Sequence, residues 1–556
     1  MSDELLAPLK ICYFRVCTRS VYDGLPRPKP SRLPRGFRAA SSTHHKNNIF
    51  GDISAKPAFG HYDIMFDQLL WAKAIEEEVM EKRQRLVLAG LVILGIMLVG
   101  LAACKKPAQS ELAAELKNSF RQEANGWIYV HLEGTPGEVG FQHGYHLAAE
   151  IDDALRMFAL FVEKSAGHDW AFFREAASRM FWPKLDPEYQ EEIEGIVRGL
   201  KARLPDAPYD IYDITALNGW IELAWYYIPY LDAKAKAGAV ENKAPAYCSA
   251  FIATGSYTED GRIVMAHNAW VDYIVGERWN IVADIVPARG YRIFMDSFPG
   301  FIHSGDDFAM NSAGILYTET TISMYAGFDE AGTPEFVRAR RAAQYASSID
   351  DFVRIMTTGN NGAYANDWLV GDLKTNEIAR LELGLKNQRL WRTTDGYFAG
   401  ANFPCDEKVI AEETTYKPDD PTLTVNVRKA RWEQLMEEYK GRINADRAKL
   451  FEADHLDANT GTVALNSQVL CGHVDEDPKG LPEFIWQAYY PGGSVQGKVT
   501  TAALAKELKM WARMGHPCGR DFLAAEFFKQ HPEFSWQAES LRDMKSHPWA
   551  LFEAKK

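Results

Sequence analysis

Hydrophobic spacing changes character at Cys248, and that change limits the chain to folds in which a helical part and a strand-rich part share a core. Before it, apolar residues recur at helical spacing in "EVGFQHGYHLAAEIDDALRMFALFVEKSA" from about Glu138, over 187–204 with Pro187 suited to a first turn, and in "DIYDITALNGWIELAWYY" from Asp210. After it come short runs bounded by turn residues: "CSAFIAT", "RIVMAHNAW", "WNIVADIVPA", "YRIFMDSF", "GILYTETTI", "DWLVGDL" and "EIARLEL". Helical stretches at 334–347, 349–357 and 427–440 interrupt them. Strands pairing as hairpins, with helices grouped apart, predict an α+β fold of two packed antiparallel sheets between helical layers. Nearer the start, "SELAAELKNSFRQEA" reads as helix and "GWIYVHLEG" as a strand ending at the turn 134–137.

Hydrophobic residues make up 47% of the 556, enough for a large core. A net charge of −13, with no long basic run beyond the first fifth, excludes nucleic acid as the natural partner and leaves small molecules or lipids. The cysteines Cys12, Cys17, Cys104, Cys248, Cys405, Cys471 and Cys518 form no CxxC pair and no zinc-motif spacing. GxSxG, HExxH and phosphate-loop patterns are absent, so neither metal nor cofactor is expected. His143 and His146 share a helix face but lack a third ligand, which favours helix packing over a metal.

"MEKRQRLVLAGLVILGIMLVGLAACKK", from Met80, has the charged, apolar and small-residue regions of a secretory signal. Its ending Leu101-Ala102-Ala103-Cys104 resembles the bacterial lipobox, in which the cysteine is lipidated and holds the chain on a membrane; an uncleaved anchor is the rival. The expected organisation is a spurious or disordered extension over 1–79 and a lipoprotein signal over 80–103. A mainly helical segment, 104–247, then ends in the cuttable linker "LDAKAKAGAVENKAP", and 248–556 folds as one unit with it. The expected location is the cell envelope, as a lipid-anchored bacterial protein.

A cysteine opening a strand is most often a small buried hydrophobe. Freed at a chain end it is a nucleophile with its own α-amine as base. The motifs "CSAF", "AHNAW", "FPGFIHSGDDFAMNSAGILYTETTI", "YANDWLVGD", "GANFP", "NVRKARW" and "GKVTTAALAKELKMWA" together resemble the phospholipase B-like proteins over about 125–556. These belong to the N-terminal-nucleophile hydrolases, with penicillin acyltransferases and choloylglycine hydrolases more distant. The resemblance implies a four-layer αββα fold and self-cleavage before Cys248. It places His267 and Asn268 on the neighbouring strand, Trp270 where the bile salt hydrolases carry an aspartate, Asn402 as oxyanion donor, Thr321 in a weaker substrate role, and Arg428 as an electrostatic support. Asp306 and Asp307, adjacent in a presumed strand, are read as facing opposite ways, and Asn366 and Trp368 as structural. The implied activity is deacylation of a lipid through an acyl-enzyme. An amidase or acyltransferase on N-acyl compounds is the alternative, and a non-catalytic envelope lipoprotein the alternative of another class.

Overall fold

The computed structural model describes residues 109–236, 248–481 and 483–555, together with Met80. The extension 1–79, the rest of the signal segment 80–103, Cys104 and the end of the linker before Cys248 lie outside the described residues.

The alternating runs become strands because each can bury one face on a second sheet and the other on helices. In chain order they are β1 (Phe120–Ala124), β2 (Trp127–Gly134), β3 (Ser249–Thr254), β4 (Val264–Asp272), β5 (Ile281–Pro287), β6 (Ile293–Ser297), β7 (Ala309–Asn311) and β8 (Ile315–Thr321). Then come β9 (Asn366–Asp372), β10 (Glu377–Leu383), β11 (Gln388–Thr393), β12 (Gly396–Gly400), the short pair β13 (Leu456–Asp457) and β14 (Thr462–Val463), β15 (Gly492–Thr501), β16 (Lys509–Met514) and β17 (Ala550–Glu553). One sheet runs β1-β2-β5-β6-β7-β8-β9-β10-β11 and the other β12-β3-β4-β15-β16-β17. The expected all-antiparallel pairing fails at one place, where β2 and β5 run parallel. Parallel neighbours need a long connection, and here the chain leaves β2 through the helical segment and the other sheet before returning as β5.

Ala250, Ile252, Ile263 and Met265 meet Val282, Phe294, Leu316 and Leu369 in a buried layer between the sheets. Helices cover the outer faces: Ile349–Thr357 packs on β9 and β10, and Ala445–Glu452 on β4 and β15. The result is a mixed α+β architecture in a layered αββα-type arrangement.

Three helical expectations are revised. Residues 120–124 are β1 rather than helix, because the helix Gln109–Glu115 ends before Asn118 at φ +66° and a hairpin follows. The helix expected from Glu138 is two, Pro136–His146 and Ala148–Ser165, parted at Leu147. The one expected from Asp210 to Tyr227 starts at Ile211 and continues in pieces to Lys236 through a π-helical turn at Leu223–Tyr227. Pro136–His146 lies backbone to backbone on Pro187–Arg203: a Cβ on Gly140 or Gly144 would strike the carbonyl of Glu192 or Ile196. His143 is buried near this seam and accepts the Gly300 N–H on Nε2 at 2.9 Å, whereas the His146 Nε2 faces Ser119 Oγ. The two histidines thus serve separate packing contacts.

Candidate functional site

Strand register decides what surrounds Cys248. β3 pairs with β4 so that Ser249 sits opposite Asn268 and Ala250 opposite His267. On its other edge β3 pairs with β12, Gly400 opposite Ala250, so the chain leaving β12 carries Asn402 to the start of β3. β12 follows β11 directly but joins the other sheet, and that switch delivers the asparagine.

The potential ligand atoms of Cys248, His267 and Glu319 all lie within 4.8 Å of one another, and all three residues are buried. Neither ring nitrogen of His267 has a hydrogen-bond partner. Glu319 accepts the Tyr364 hydroxyl on Oε1 at 3.0 Å, and its Oε2 has no hydrogen-bond partner. Burial, with the Glu319 charge second, pushes the Cys248 thiol well above its ordinary pKa. Burial also pushes the Glu319 carboxyl well up, aided by Asp307, and the His267 imidazole well down, aided by Lys498. Each group is therefore held in its neutral form.

Arg428, fully buried in the helix Thr424–Glu438, ties the surroundings together. Its Nη1 donates to the Cys248 carbonyl oxygen at 2.9 Å, its Nη2 donates to Asn402 Oδ1 at 3.0 Å, and its guanidinium lies 4.5 Å from the Trp270 ring centre. Burial lowers its pKa to about 10, which leaves it cationic at neutral pH. Asn402 adopts φ +71°, a left-handed conformation that asparagine tolerates, and its Nδ2 donates to the Thr321 carbonyl oxygen at 2.8 Å. The Thr321 hydroxyl is buried without a hydrogen-bond partner.

Asn268 faces away from Cys248, His267 and Glu319, on the strand face it shares with Trp270. Consecutive strand residues point to opposite faces, and its Nδ2 donates to the carbonyls of Glu452 and Leu470 at 2.8 and 3.0 Å. Trp270, two residues on, donates to the same Leu470 carbonyl at 3.1 Å. Trp368 is core, edge-on to Tyr317 and Phe352, while Asn366 pairs in register with Thr321. Asp306 and Asp307 sit between β6 and β7 rather than in a strand, and a left-handed turn at Asp307, φ +56°, parts them. Asp306 joins the buried Lys498, which also pairs with Asp296 at 2.8 Å. Of the tyrosines and tryptophans at 220–227, Tyr226 has its pKa raised by burial first and the Glu319 charge second, and its ring meets Tyr325 at 6.2 Å.

Glu319, Tyr364 and Lys498 were not singled out in the sequence. A visible signal exists for two of them: Glu319 is an acid within the wholly buried run "ILYTETT", and Lys498 stands in "GGSVQGKVTT", buried through Thr500, opposite His267.

A family profile described as Phospholipase B matches residues 153–414. An uncharacterized protein of Archaeoglobus fulgidus is 30% identical over 270 residues, 46% of this chain and 42% of its own length. Putative phospholipase B-like 1 of Caenorhabditis elegans is 26% identical over 339 residues, 54% of this chain and 57% of its own. Phospholipase B-like 1 of Homo sapiens is 27% identical over 229 residues, 38% of this chain and 40% of its own. The chain spans about half the length of the curated relatives it matches. It carries a phospholipase B-like family domain and is homologous to the phospholipase B-like proteins. The matched stretch includes every candidate residue from Cys248 to Asn402 and ends before Arg428. The expected bacterial envelope lipoprotein is corrected by these matches: the phospholipase B-like relatives are proteins of worm, cattle, human, rat and slime mould. Among the described residues no helix is long and apolar enough to cross a membrane.

Proposed function

We propose that this chain is a hydrolase of the phospholipase B-like type that cuts itself before Cys248 and then deacylates a lipid through a cysteine acyl-enzyme, within an N-terminal-nucleophile fold. The observation that supports this reading is the convergence of Cys248, His267 and Glu319 at the start of β3, with Arg428 hydrogen-bonded to both the Cys248 carbonyl and Asn402.

In the uncut chain the Cys248 sulfur adds to the Tyr247 carbonyl and passes its proton to the neutral His267 imidazole, while the protonated Glu319 carboxyl is placed to give one to the departing nitrogen. The acyl group moves from nitrogen to sulfur, the α-amine is freed, and water hydrolyses the thioester to leave a Tyr247 carboxylate and a Cys248 thiol. The new amine, with an ordinary pKa of about 7.7–8.0, then takes the thiol proton as the sulfur attacks a substrate acyl carbon. Asn402 Nδ2 turns from the Thr321 carbonyl toward the oxyanion, the alcohol leaves with the amine's proton, and water releases the fatty acid. Loss of such a donor costs about 10²–10³ in kcat.

Intact mass and N-terminal sequencing of the purified full chain test the reading. Two fragments, one beginning at Cys248, are expected, and Cys248→Ala is expected to stay uncut and inert on a phospholipid and on an amide of the same acyl chain. A wild-type protein that stays whole across Tyr247-Cys248 and is untouched by thiol reagents overturns it.

A further inference from the structure

Far along the chain from the candidate nucleophile, His455, Cys471, His473 and Cys518 each turn one potential ligand atom into a common point, all within 4.8 Å of one another. We infer that these four residues form a closed tetrahedral Cys2His2 zinc site that pins the segment behind β4.

The separations are those a metal would set. With zinc at about 2.3 Å from sulfur and about 2.0–2.1 Å from nitrogen, a tetrahedron has S···N edges of about 3.6 Å. His473 Nε2 lies 3.8 Å from the Cys471 sulfur and 3.6 Å from that of Cys518. Two thiolates and two imidazoles in this arrangement suit zinc rather than an oxygen-seeking cation. His455 Nε2 is buried with no hydrogen-bond partner, an acceptor that a metal would satisfy.

The surroundings hold the donors in place. Cys471 and His473 have no exposed surface, and their backbone N–H groups donate to the carbonyls of Asp454 and Asn466, each at 3.0 Å. Between them Gly472 lies against the Trp270 ring, with no room for a Cβ. The His473 ring is backed by His516 at 4.4 Å, and its Nδ1 looks toward Asp475 Oδ1 at 3.9 Å, a carboxylate fixed by the Tyr273 hydroxyl at 2.7 Å. Four protein ligands leave no open position, so the site is structural. It joins the segment after β16, through Cys518, to the stretch whose Leu470 carbonyl holds Asn268 and Trp270. The donors are spaced as no linear zinc motif, which is why the sequence did not disclose them.

The test is the metal content of the full chain, purified without chelator from zinc-supplemented medium. About one zinc per chain is expected, with X-ray absorption showing two sulfur and two nitrogen neighbours. His455→Ala and Cys518→Ser, at the two partly exposed ligands, are each expected to lower the zinc content at least tenfold. Chelator is expected to lower the Tm of wild type and not that of either variant. Folded wild type with reduced thiols and less than about a tenth of an equivalent of zinc overturns the site. So does an intact mass showing a Cys471–Cys518 disulfide, or zinc that persists in both variants.

Discussion

A guanidinium without exposed surface needs hydrogen bonds to offset its desolvation, and Arg428 places its own on the two groups that matter to the proposed chemistry, the Cys248 carbonyl and Asn402 Oδ1. A hydrogen bond from a charged donor is worth about 1.5–3 kcal/mol. Lysine keeps the charge but cannot bridge both acceptors with one ammonium. Arg428→Lys is therefore expected to slow self-cleavage by about tenfold to a hundredfold, read as the fraction of cut chain against time. Glu319 makes a separate demand. Glutamine in its place keeps the contact with Tyr364 but has no acidic proton to give the departing nitrogen, so Glu319→Gln is expected to slow cleavage by about 10²–10⁴ while the Tm holds or rises. An unchanged cleavage rate in Glu319→Gln would remove the carboxyl from the mechanism and leave His267 as the base.

β12 is the element on which the site depends, because it leaves the sheet of β11 and pairs with β3. The switch works only at close range: a Cβ on Gly400 would strike Thr320 of β8 in the facing sheet. Gly400→Ala is expected to cost about 1–3 kcal/mol in urea unfolding and to misplace Asn402, so that cleavage falls with it. Gly144→Ala, in the helix seam, is expected to cost as much stability while the folded fraction still cleaves at the wild-type rate. The difference between these variants separates the strand's positioning role from plain packing. Strand locations were legible because alternation is local, and β3, β4, β8, β9 and β10 fall where the runs predicted. β1 was missed although Asn125-Gly126, both at positive φ between Ala124 and Trp127, is a two-residue hairpin signal. The sheet switch of β12, the parallel step from β2 to β5 and the meeting of Cys248 with Glu319 depend on pairings distant in sequence. No local pattern encodes them. Asn268 shows the converse: its place beside His267 in "AHNAW" suggested a shared role, and strand alternation turned it to the other face.

At the scale of the whole molecule, the layers are bound by buried charge as well as by apolar packing. Lys498 of one sheet pairs with Asp296 in β6 of the other, and with Asp306 beyond that strand, while Arg340 joins the helix Glu335–Tyr345 to Glu192 of Pro187–Arg203 at 2.8 Å. Burial dominates at Glu192, with the Arg340 charge opposing it, and raises the carboxyl from 4.5 to about 7. Between those values the folded chain keeps a proton that the unfolded chain has released. Stability from this group is then full below about pH 4.5 and declines as pH rises toward about 7, at no more than about 1.4 kcal/mol per pH unit. Glu192→Gln is neutral throughout and lacks that dependence. Urea unfolding of both proteins at intervals from about pH 4.5 to 7.5 should show wild type losing ground to the variant as pH rises, then levelling. A difference that stays constant across the range would mean that Glu192 titrates alike in the folded and unfolded chain, and that the Arg340 charge offsets burial where these two helices meet.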